Sequence, residues 1–140
     1  MSELRVAVAG LVGAELEAFV EIMFLAASSD GDFSDIERRH FVSSLESLTD
    51  GRWTQAALEQ LLERATQDLA RSGRAARLSA VRDRLPQPGA RRAALSLAIQ
   101  VAASDGIVRT SERELILEAA EILGITREDA ADLVTKLGGG

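Results

Sequence analysis

The sequence predicts an all-α fold, on three observations. Apolar residues recur at steps of three and four along nearly the whole chain. No alternating, β-branched run of strand length competes with that period. The breaks between apolar stripes carry residues that start and stop helices. With 140 residues, 46% apolar and 27% charged, the chain has the size and balance of one ordinary globular domain. A domain of that length hides roughly two thirds of its unfolded surface, so its core needs neither metal nor cross-links.

Seven helices are expected. Leu16, Phe19, Val20, Met23 and Ala27 share one face of a helix near residues 12–29. Ser34 with Glu37 three positions on is a capping box, opening a helix over 34–48. Thr54 is an N-cap for 54–72, where Leu58, Leu61, Leu62, Ala65 and Leu69 make the stripe, and Trp53 beside it is a packing anchor. A short helix over 74–84 follows. Pro86-Gln87-Pro88-Gly89 then leads into a helix over 89–104 with Leu95, Ala98, Ile99 and Ala102 inward. Ser111 with Glu114 reads as a second capping box for 111–123, ended by Gly124, and Thr126 caps a last helix over 126–137.

The chain also repeats itself. Ala27-Ser28-Ser29-Asp30-Gly31 recurs 75 residues later as Ala102-Ala103-Ser104-Asp105-Gly106. The same offset pairs Glu37-Arg38 with Glu112-Arg113, Glu46 with Glu121 and Leu48 with Leu123. Each half, about 14–48 and 89–123, reads helix, Asp-Gly turn, helix, with a Glu seven positions after the Asp. Two copies are too few for a solenoid. The expectation is a compact single domain spanning 1–140, with the two helix pairs packed as a pseudo-symmetric core.

Composition narrows the function classes. Cys is absent, which removes thiol nucleophiles, disulfides, iron–sulfur clusters and Cys-ligated zinc. His40 is the one His, so a multi-His metal site has no members and no nucleophile with a base is evident. The net charge of −6 is the wrong sign for a general phosphate-backbone binder, and five aromatics without Tyr make no stacking platform; no nucleic-acid partner is expected. The charge is uneven: residues 71–92 hold seven arginines and one acid, Asp83, a +6 segment in a −12 body. That connecting segment is either a solvated Arg-rich stretch or a patch for an acidic partner or for the protein's own acidic face. The apolar run at residues 6–14 is too short to span a bilayer and lacks the flanks of a signal peptide. A cytoplasmic protein without membrane insertion is expected.

The acids at the turns are the candidate site. On one continuous helix, Asp30 and Glu37 would stand about 10.5 Å apart along the axis, too far to grip one ion. A turn between them brings them closer. If the halves pair, Asp30, Glu37, Asp105 and Glu112 converge as ligands for calcium, magnesium or manganese. The competing reading is ordinary turn and cap chemistry, in which Asp bonds local backbone and Glu37 serves its capping box. Neighbouring motifs do not fit. The stretch from Asp30 lacks the EF-hand glycine at the sixth place, where Asp35 stands, and the bidentate Glu at the twelfth, where Phe41 stands. Glu37-Arg-Arg-His40 has di-iron spacing but its counterpart, Glu112-Arg-Glu-Leu115, has no His, so His40 is expected to be a partly buried helix residue. Gly10 and Gly13 lack the rest of a phosphate loop.

The two turns carry a family resemblance. Ala26-Ala27-Ser28-Ser29-Asp30-Gly31-Asp32-Phe33-Ser34-Asp35-Ile36-Glu37 and Val101-Ala102-Ala103-Ser104-Asp105-Gly106-Ile107-Val108-Arg109-Thr110-Ser111-Glu112 resemble the duplicated pattern of the tellurite-resistance TerB-like family, which includes domains of membrane-anchored J-domain co-chaperones. The resemblance runs from about Ala14 to Leu137. The second copy departs from the first in having Arg109 where Ser34 stands. The resemblance implies a pseudo-symmetric helical domain, non-enzymatic, tied to bacterial stress response and tellurite resistance, binding a divalent cation through Asp30, Glu37, Asp105 and Glu112, with no organic cofactor. The alternative is an ion-free scaffold that recruits a protein partner through its Arg-rich segment or its acidic faces.

Overall fold

The computed structural model describes residues 14–29, 33–48, 53–103 and 110–137. Among them are seven helices and no strand: α1 (Ala14–Ala27), α2 (Asp35–Leu48), α3 (Gln55–Ser72), α4 (Arg74–Arg84), α5 (Pro88–Ala102), α6 (Thr110–Leu123) and α7 (Arg127–Leu137). The all-α class and the number of helices are as the sequence predicts.

The helix ends follow local chemistry. Ser34 and Glu37 form the capping box: the Glu37 carboxylate accepts the Ser34 N–H at 3.0 Å, and the Ser34 hydroxyl accepts the Glu37 N–H at 3.2 Å. Thr54 accepts from Ala57 N–H and Thr126 from Asp129 N–H, each at 3.1 Å. Pro88 is the first residue of α5, where its missing N–H costs nothing.

Three expectations shift. α1 stops at Ala27 rather than 29, because the Ser28 and Ser29 hydroxyls turn back to the carbonyls of Phe24 and Ala26. α6 starts at Thr110, so Ser111 lies within the first turn instead of capping it. His40 is exposed rather than partly buried: α2 turns Phe41, Val42 and Leu45 inward, and His40 stands one helical step off that face.

α6 ends at Gly124, whose φ of +77° lets the Ile125 N–H reach the Ala120 carbonyl at 2.8 Å. A Cβ there would meet no atom within 4 Å, so only backbone strain opposes a side chain. Gly124→Ala is expected to cost about 1 kcal/mol, read as a lower chemical-denaturation midpoint with an unchanged slope.

The core is built round α1. Every residue from Ala18 to Ala26 is buried, all apolar except Glu21, the pattern of a helix enclosed by others. α5 is its principal neighbour, α4 the next, and α3 and α6 touch it as well. The helices preceding the two Asp-Gly turns thus lie against each other. The helices following the turns have unlike surroundings: α6 packs on α4, α5 and α7, while α2 has α3 as its main neighbour. α4, inside the basic connection, fully buries Leu78 and Val81. Trp53 packs against the core as expected.

Candidate functional site

Of the four suspected ligands, Glu37 and Glu112 lie in the described part of the chain; Asp30 and Asp105 lie outside it. Both glutamates are the third residue of their helix, α2 and α6. There they face the positive end of the helix dipole, which favours a carboxylate. Glu37 is exposed and commits one oxygen to Ser34, leaving the other with free lone pairs. Glu112 is half-buried and has an interaction of its own. Among the described residues, no three acidic or His side chains are grouped as a cation cage.

The described carboxylate with the strongest partners is one that the sequence reading did not single out. Glu21, in the middle of α1, is 5% exposed. Arg77 of α4 grips it with two nearly parallel bonds, Nε to Oε2 at 2.6 Å and a terminal nitrogen to Oε1 at 2.9 Å. Arg84, two turns along α4, bonds the same carboxylate. Asp68 of α3 stands 3.8 Å from Arg77 and also 3.8 Å from the exposed Arg71, so two acids link three cations in one cluster. No buried side-chain nitrogen or oxygen among the described residues is left without a partner. The sequence carries a signal: one acid in the apolar middle of a helix whose other acids, Glu15 and Glu17, lie in its first turn, and two arginines seven apart on another helix.

The hydrogen bonds that it donates to Glu21 hold the Arg77 guanidinium above its usual pKa, burial pulls the other way, and the charges of Glu21 and Asp68 add to the rise. A raised folded-state value gives stability that is full below the unfolded value and lost only as pH climbs through the folded one. For an arginine that window lies far above the neutral range. Arg77 therefore stays cationic throughout the neutral range.

Three further arginines of the basic segment reach other parts of the chain, while Arg71 and Arg82 stay at the surface beside Asp68 and Asp83. Arg74 bonds Glu118 of α6 at 2.5 Å, joining α4 to the second half of the chain. Arg91 donates to the Leu85 carbonyl at 2.6 Å and to the Arg82 carbonyl at 3.5 Å, closing the end of α4 across the proline linker. Arg92 meets Asp129 of α7 at 3.2 Å with both side chains about half exposed. Of the two sequence readings that made this segment an interaction patch, the geometry realises the one directed at the protein's own acids. Solvent screening makes the outermost pair weak: Arg92→Ala is expected to change stability by no more than about 0.5 kcal/mol, checked by denaturant titration.

An open groove runs between α2 and α3, with Asp35, Arg38 and Arg39 on one wall and Glu59, Gln60 and Glu63 on the other. Arg38 spans it to Glu63 at 3.3 Å. Its mixed charge and lack of a nucleophile–base pair give it no catalytic arrangement. Among the described residues no helix is long and apolar enough to cross a membrane.

In comparison with known families, the model described as tellurite resistance protein TerB matches residues 16–134. Nothing among the curated proteins or the solved structures matches the chain.

Proposed function

The chain belongs to the TerB tellurite-resistance family, and on that premise we propose that it is a non-catalytic, cytoplasmic stress-response module that holds a divalent cation through Asp30, Glu37, Asp105 and Glu112. The supporting observation is the repeat: each Asp-Gly turn is followed by a helix whose third residue is the Glu of the motif. Carboxylates alone, without His or Cys, suit a hard cation held by oxygen. The ion would neutralise acids that otherwise repel one another.

The test is thermal unfolding of chelator-stripped protein titrated with calcium, magnesium or manganese, beside Asp30→Asn/Asp105→Asn. An ion at one hundred times its dissociation constant adds about 2.7 kcal/mol, which raises the midpoint by several degrees. A saturable rise with one ion, absent in the double variant, is the expected result. No rise with any ion in folded protein would overturn cation binding.

The second reading, an ion-free scaffold, takes a narrower form. Because Arg74, Arg77, Arg84, Arg91 and Arg92 are engaged within the chain, its recruiting face is acidic and its partner basic. Reversing Arg74 or Arg77 would disturb the core rather than test recruitment. Salt-sensitive binding to a basic peptide by protein that responds to no ion would favour this reading.

A further inference from the structure

We propose that α2 is a detachable element, which leaves the body of the domain as a unit while α1, α4, α5 and α6 stay folded. The inference rests on how little holds it. Of its described side chains α2 buries Phe41, Val42 and Leu45, whereas α6, of equal length, buries Leu115, Ile116, Ala119, Ala120 and Leu123. Its main neighbour is α3, and among the described residues the polar links between the two lie at the surface: Arg38 to Glu63 at 3.3 Å, Arg38 to the Glu59 carbonyl at 3.4 Å, and Gln55 to Glu46 at 3.3 Å. Exposed links of this kind contribute little. The body is joined differently, by the buried cluster at Glu21 and by an α1 enclosed on every side.

The sequence of α2 points the same way. Ile36, His40, Phe41, Val42, Ser43, Ser44 and Ser47 are all weaker helix formers than the Ala, Leu, Glu and Gln that fill α3. Few buried contacts, exposed links and weak propensity are the marks of an element that opens below the global free energy. Its inner anchor is an aromatic relay, Phe24 to Phe33 at 5.6 Å and Phe33 to Phe41 at 6.0 Å, edge to face. Departure of α2 would break the second contact and uncover Phe41, Val42 and Leu45 on the helix that already shows Ile36, 77% exposed, to solvent. α2 also carries Glu37, so a ligand on that carboxylate would bias the opening. The opening itself requires no ligand.

Native-state hydrogen exchange of the full chain, read by mass spectrometry, tests the proposal through a substitution remote from α2. Glu21→Gln weakens the body and leaves untouched the balance between closed and α2-open forms, because both contain the same body. α1 and α5 amides should then exchange about tenfold faster or more, and α2 amides at an unchanged rate. Acceleration of α2 in step with α1 would overturn the proposal, since α2 would then open only with the whole domain. Should Glu21→Gln not fold, Leu133→Ala in α7 applies the same logic with a milder change, on a residue that is buried and far along the chain from α2.

Discussion

Glu21→Gln should lower the stability of the domain by about 3 kcal/mol, at the lower end of what breaking a buried ion pair costs. Gln keeps the shape and one acceptor oxygen but removes the charge that Arg77 and Arg84 both face. The two guanidiniums then share the interior with one less anion; their side chains keep 19% and 26% of their exposure, which relieves part of the penalty. For a domain of this length the unfolding midpoint should fall by roughly 10 °C, measured by circular dichroism or calorimetry. A companion variant separates charge from packing. With Glu21→Leu, Arg77→Met and Arg84→Met together no charge is left buried, Asp68 keeps Arg71, and most of the lost stability should return. A single Glu21→Gln change that leaves the midpoint within about 2 °C of wild type would mean that the cluster is solvated well enough to stand alone.

Phe19→Ala should cost more, about 4 kcal/mol, because the ring is 2% exposed in a helix that has neighbours on all sides. Large-to-small changes cost most where the surroundings cannot collapse, and α1 lies between α5, α4, α3 and α6. Against a total stability of about 5–15 kcal/mol, such a loss would populate unfolded chains well below the wild-type transition. Denaturant titration checks it: the midpoint falls while the slope keeps its value. Trp53, half-buried against the core, supplies the fluorescence probe.

Glu21 and Phe19 sit two positions apart on α1, and each owes its role to its surroundings rather than to its own chemistry. Phe19 was legible from the sequence because a helical stripe needs only a period, and the period is local. The same holds for Ser34, Thr54, Thr126 and Gly124, whose capping roles depend on neighbours within four residues. Ser111 departs from its predicted capping role because α6 already includes Thr110, and local sequence sets a helix boundary only to within a residue or two. His40 was misjudged because burial on α2 is decided by a single narrow face, not by the general wetness of the helix.

The candidate cation site was legible as a pattern, two Asp-Gly turns with matched glutamates, and the structure places Glu37 and Glu112 at the same position of their helices. Glu21 was not legible in that way. An acid in the apolar middle of a helix signals a partner, but nothing local names Arg77 and Arg84, 56 and 63 residues away.

The sequence by itself determined the helical class, the positions of seven helices, most of their caps and the family to which the chain belongs, all of which are carried by residues close together in the chain. Only the tertiary structure decided that α1 is the enclosed axis, that α2 has α3 as its main neighbour, and that Arg74, Arg77, Arg84 and Arg92 close on the protein's own acids. The physical reason is range: caps and periods are set within a turn or two of helix, whereas burial and charge pairing depend on which distant segments meet.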